Sequence, residues 1–145
     1  MDHLVSVDSE AKELDRLLEG HKTIIIRGFN EPVSPFGKVK EGDNLFFITT
    51  NRAGMVQGKA VVKNVLNSEI LDEKGSIELI NRHLMELMLT ENQLNRCYGK
   101  PYIMLIRIMN VQRTSLFMLN ENSIKSFSDW LIIENIDKIR SEVLM

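Results

Sequence analysis

Gly20-His21-Lys22-Thr23-Ile24-Ile25-Ile26-Arg27 joins a glycine turn to a β-branched run and sets a cation near each end of it. Side chains branched at Cβ pack well on a pleated surface, so the run predicts a strand. Successive strand side chains alternate: Lys22, Ile24 and Ile26 would face one way, and Thr23, Ile25 and Arg27 the other. The two cations therefore share a cleft only if Lys22 still lies in the turn after Gly20, where glycine makes a tight reversal easy. Apolar residues on both faces predict a central strand, covered on each side.

On the N-terminal side, Ala11, Leu14, Leu17 and Leu18 recur at helical spacing, with Asp8 or Ser9 as the cap and Gly20 at the end. Val5-Ser6-Val7 before them reads as a short strand. On the C-terminal side, the segment Gly28 to Gly42 contains Pro32, Pro35 and Gly37 and has no periodicity. Its length suggests a functional loop. Gly42-Asp43 is a turn signal and Asn44 to Thr49 a strand. The polar stretch from Thr50 to Gly54 then offers the Asn51 amide and the Arg52 guanidinium, groups able to read a base edge or grip a phosphate. The plain alternative is that Asn51 and Gly54 make the turn and Arg52 is solvated.

Beyond Asn67 the period becomes helical. Ser76 can cap a helix with Ile77, Ile80, Leu84 and Leu87 as its stripe, and Thr90-Glu91-Asn92-Gln93 is a capping box opening another. Tyr102 to Val111 reads as a long strand, paired with Leu116 to Leu119 across a polar turn from Gln112 to Ser115. Phe127 to Ile133 fits either strand or helix, and Ile136, Ile139 and Val143 suggest a terminal helix.

Composition narrows the field. The chain has 145 residues, 43% apolar and 26% charged, which fits one domain with its own core. A single cysteine, Cys97, excludes an internal disulfide, and the start Met1-Asp2-His3-Leu4 has neither the basic n-region nor the apolar run of a secretory signal. No apolar run is long enough for a membrane span, so a cytoplasmic protein is expected. The 18 Lys and Arg nearly balance 20 Asp and Glu, which disfavours a protein that coats long nucleic acid through phosphates alone. The distribution is uneven: residues 1–15 carry −4, and residues 16–63 carry +4. That is either a locally positive cleft for a short anionic ligand or a solvated lysine-rich face.

Other chemistries find little footing. His3, His21 and His83 are far apart, with no i,i+4 pair and no cysteine partner, so no metal is expected. No P-loop, dinucleotide fingerprint or Gly-x-Ser-x-Gly elbow occurs, and no cofactor is expected. Cys97 reads as a small buried apolar residue, and Trp130 as either a core plug or a stacking platform.

The spacing Gly20-x-Lys22-x-x-Ile25-x-Arg27 resembles the G-x-K-x-x-E-x-R signature of ASCH domains, a branch of the PUA-like superfamily, with Ile25 in place of the glutamate. Gly42-Asp43-Asn44-Leu45-Phe46-Phe47, followed by a polar loop and a glycine-bearing strand at Gly58, resembles the same family, so the motifs cover residues 12–67. The resemblance implies an α+β fold, a small closed or nearly closed mixed β-barrel flanked by helices, formed by residues 1–145 as one domain. An open α+β sheet is the competing assignment. It also implies RNA or a nucleotide as partner, with Lys22 and Arg27 on a phosphate or carbonyl, Asn51 and Arg52 closing over the ligand, and His21 adjoining. The family's acetylcytidine amidohydrolases carry a catalytic threonine where this chain has Ile25, and isoleucine can neither attack a carbonyl nor move a proton. The expectation is thus a binding module. The alternatives are an amide hydrolase in which Lys22 activates Thr23 or water with help from Glu69 or Glu73, and a structural or partner-interaction domain.

Overall fold

The computed structural model describes residues 1–52 and 54–141. The first strand, β1, spans Asp2–Val7. Asp8 then folds back on the chain: its Oδ1 accepts the amides of Glu10 at 2.9 Å and Ala11 at 3.3 Å. That turn delays the helix expected from Asp8 or Ser9. The helix α1 begins after Lys12, at Glu13–Leu18. Gly20, at φ +78°, turns the chain, and the amides of His21 and Lys22 both donate to the Arg16 carbonyl at 3.1 Å. Lys22 therefore belongs to this turn, ahead of strand β2, Ile24–Phe29.

Strands β3, Asn44–Thr49, and β4, Met55–Asn67, follow the long loop. Helix α2, Glu73–Asn81, is capped by Asp72, whose side chain accepts the Gly75 amide; the expected cap, Ser76, lies buried inside the first turn. The expected stripe continues past a break at Arg82 and His83 into α3, Leu84–Leu87. Helix α4, Glu91–Cys97, opens on the predicted capping box, Thr90 with Gln93. Strand β5 is longer than the sequence suggested, running unbroken through Tyr102–Met118. There is no turn from Gln112 to Ser115, because the long β4 supplies partners to the end, from Asn67↔Met104 to Met55↔Met118. Three register shifts and an Asn110 at φ 54° absorb the mismatch, as bulges do. Helix α5, Glu121–Ser126, strand β6, Trp130–Ile133, and a 3₁₀ turn at Ile136–Ile139 complete the chain. Val143, which belongs to the expected terminal helix, lies outside the described residues.

Among the described residues one mixed sheet holds the six strands, in the order β2-β5-β4-β3-β1-β6. β1 is parallel to β3 and every other pair is antiparallel. The sheet curls so far that Arg27, on one edge strand, donates to the Ser6 carbonyl of β1 at 2.7 Å. The result is a half-barrel with a narrow seam. β2 is thus an edge strand, not a central one, yet both faces are covered as its composition demands. Ile25 points into the barrel among Val5, Leu45, Phe47 and Ile106, while Ile24 and Ile26 point outward against Ile80, Leu87 and Cys97. The three isoleucines are 2%, 0% and 5% exposed, and burying each is worth about 1.5–3 kcal/mol. Leu14 and Leu17 of α1 close one end of the barrel core.

Candidate functional site

Strand alternation aims Arg27 inward, and at the seam its guanidinium spans the gap between sheet edges. Nε donates to Asp129 Oδ2 at 2.7 Å, one Nη to the Ser6 carbonyl at 2.7 Å and the other to the Ile26 carbonyl at 2.9 Å. Asp129 also accepts the Ser6 hydroxyl at 2.6 Å. Burial disfavours the Arg27 charge, but Asp129 and Glu13 outweigh it and hold the group more firmly protonated than usual. Burial likewise opposes the Asp129 carboxylate, and Arg27 prevails there too, holding it below the ordinary carboxylate range. Trp130 lies over the guanidinium, 5.5 Å from its ring centroid. Its indole N–H donates to His3 Nδ1 at 3.0 Å, which leaves Nε2 to donate to Asp43 at 2.8 Å.

Above the seam opens a cleft of about 490 Å³, with Arg27 and Asp129 in one wall and Gln93, Arg96 and Cys97 of α4 in the other. Asp8, Glu13 and Thr50 complete the rim. Gly28 lets the chain pass close here, since a Cβ at that position would lie 2.9 Å from the Lys100 stem. Ile26, Leu89 and Cys97 give apolar lining. Gln93 lines the cleft and uses Oε1 for the capping box, so the donor its side chain has to spare is Nε2.

Lys22 lies beneath this surface, 1% exposed. Its ammonium donates to the Leu87 carbonyl and sits 3.4 Å from Glu13 Oε2. Burial pushes its pKa down, only partly offset by Glu13, and the Arg27 charge pushes the same way. The two cations of the opening motif are thus neighbours electrically, but Glu13 stands between Lys22 and the cleft. Every cation here has a matched acid: Lys22 with Glu13, Arg27 with Asp129, and Arg96 with Asp8 at 3.2 Å.

The other residues singled out in the sequence lie apart. His21 is exposed and faces Glu19 at 3.2 Å. Asn51 and Arg52 are exposed on the β3–β4 loop just beyond Thr50, and neither lines the cleft. Glu69 and Glu73 are also absent from its walls. The sequence reading missed Asp8, Glu13, Gln93 and Arg96. Gln93 carried a signal, the capping box, which pins one end of the side chain; the rest converge from three separate elements. Among the described residues no group of three His, Cys, Asp or Glu is placed to hold a metal ion, and no helix is long and apolar enough to cross a membrane. Burial raises the Cys97 thiol pKa, the opposite of what a nucleophile needs.

Neither a protein-family model nor a curated protein matches the sequence. Solved structures do. The ASCH protein of Zymomonas mobilis superposes with a TM-score of 0.66 over 99% of this chain and 98% of that one, at 14% identity. A serine-to-alanine variant of it gives 0.68 over 94% and 91%, at 15% identity. The N-terminal domain of Staphylothermus marinus McrB gives 0.54 over 94% and 90%, at 9% identity. At such identities the likeness speaks for architecture, and it spans nearly the whole chain. The half-barrel with its flanking helices has the fold of these ASCH structures.

Proposed function

We propose that the seam cleft binds one nucleotide unit of RNA, or a free nucleotide, by its uncharged base. The observation that carries this reading is the charge balance of the cleft. The two guanidiniums of the cleft, Arg27 and Arg96, are each matched by an acid, and Glu13 is matched by the buried Lys22, so while these pairs stay closed the site offers a phosphate no net attraction, whereas a flat heterocycle would find apolar lining and a spare amide donor on Gln93. Lys22 then acts through Glu13, which it holds in place. Asn51 and Arg52 follow Thr50 at the rim, where the charged part of a ligand would emerge. The ASCH-type fold of the chain agrees with a nucleotide ligand.

The hydrolase alternative meets an obstacle in the geometry. Ile25 is sealed in the barrel core at 0% exposure, and the Thr23 hydroxyl, just ahead of β2, donates to Glu86 at 3.4 Å and does not line the cleft. The test is a titration of short single-stranded RNAs and free nucleosides, acetylated cytidine included, against wild type and Gln93→Glu, with product formation followed alongside. Gln93→Glu keeps the capping acceptor but replaces the cleft donor by a charged acceptor. Saturable binding that weakens about tenfold or more in the variant, as loss of a buried hydrogen bond predicts, supports the reading. Equal binding by both proteins, or none by wild type, contradicts it.

A further inference from the structure

Beside the cleft lies a second hollow of about 430 Å³, walled by Asp8, Glu10, Ala11, Thr90, Asn92 and Arg96. The two hollows share Asp8 and Arg96, so the ion pair between these residues is the partition. The partition is light. Arg96 is 65% exposed on its side chain and meets Asp8 at 3.2 Å and the Asn92 carbonyl at 3.4 Å. Exposed pairs of this kind are worth little and exchange partners readily. The cation of the cleft that can leave its acid is therefore Arg96; Arg27 is fixed by three donor contacts, and Lys22 is buried.

The second hollow differs from the first in chemistry. Two carboxylates, Asp8 and the exposed Glu10, line it together with Thr90, Asn92 and Arg96. The Glu10 side chain has no partner among the described residues. Carboxylates repel phosphates but accept strongly from hydroxyls. A ribose presents such hydroxyls, and its 2′-OH separates RNA from DNA.

Resting on the function proposed above, we propose that the two hollows form one groove for a single-stranded RNA segment of at least two nucleotides. One base occupies the cleft, the linking phosphate draws Arg96 away from Asp8, and the neighbouring ribose donates its hydroxyls to Glu10 and the freed Asp8. The groove thereby selects RNA over DNA, and a strand over a free nucleoside.

The experiment is calorimetric titration of the four ribonucleosides, then of the RNA and DNA dinucleotides built on the base that binds best, against wild type, Glu10→Ala and Arg96→Ala. Both residues are exposed, and matching thermal transitions would show that the variants are folded. In wild type the RNA dinucleotide should bind about tenfold tighter than the nucleoside and than the DNA dinucleotide, the scale of a charge-assisted hydrogen bond. Its affinity should fall with salt with a slope of about 0.7, for one phosphate. Glu10→Ala should bring RNA and DNA within about threefold of each other, and Arg96→Ala should do the same for dinucleotide and nucleoside. Nucleoside binding without any gain for the dinucleotide, equal binding of RNA and DNA, or an RNA preference that survives Glu10→Ala overturns the inference and leaves the nucleotide cleft standing. No binding of any of these ligands overturns both.

Discussion

Lys22 and Arg27 look alike in the sequence and end in opposite roles. Lys22 is sealed against Glu13 and the Leu87 carbonyl, and removing one partner of such a pair strands the other charge. Lys22→Met should cost about 3–5 kcal/mol in denaturant unfolding, while the same change combined with Glu13→Gln should recover most of it. Arg27 keeps one face on the cleft and stabilises Asp129. Because the folded Asp129 pKa lies below the unfolded value of about 3.9, the stabilisation is complete above that value and is lost as pH falls through the folded one. Asp129→Asn should therefore be less stable than wild type at neutral pH and lose less on acidification below about pH 4, a difference read from pH-resolved melting curves. The sequence left open whether Lys22 lies in the turn after Gly20 or in the strand; it lies in the turn, ahead of β2, so strand alternation governs Arg27 alone. What sequence could not supply was Glu13, which neutralises Lys22 from a helix whose start was misplaced by the Asp8 turn.

At the scale of elements, the cleft depends on helix α4, a short helix carrying Gln93, Arg96 and Cys97 to it. Seven residues do not make a stable helix alone, so its cap matters. Thr90→Ala leaves the Gln93 amide without its acceptor and should lower stability by about 1 kcal/mol, measured by chemical denaturation. This helix was legible because a capping box is a local signal. The strand β5 was not: Gln112 to Ser115 is polar enough to read as a turn, and the partner that keeps it extended, β4, lies about fifty residues earlier. Local composition records which residues face water. It does not record whether the strand beside them is long enough to continue the ladder.

For the whole molecule, Arg27 is the clasp that brings the two edges of the half-barrel together, tying β2 to β1 and to the entry of β6. Arg27→Lys keeps the charge but cannot reproduce a fork that reaches Asp129 and two carbonyls at once. Amide exchange in β6 and the adjoining half of β1 should quicken in this variant, while β4 and the paired half of β5 exchange as in wild type. The barrel architecture was readable from the family-like spacing and the order of elements, but the closing of the seam was not, since Arg27 and Asp129 are 102 positions apart. The most direct measurement of the central claim is an amide chemical-shift map recorded on adding short single-stranded RNA to ¹⁵N-labelled protein. The account predicts that the shifts gather at Ser6, Asp8, Thr50, Gln93 and Arg96. Shifts confined to the opposite ribbon around Lys59 and Gln112, with the cleft unmoved, would contradict it.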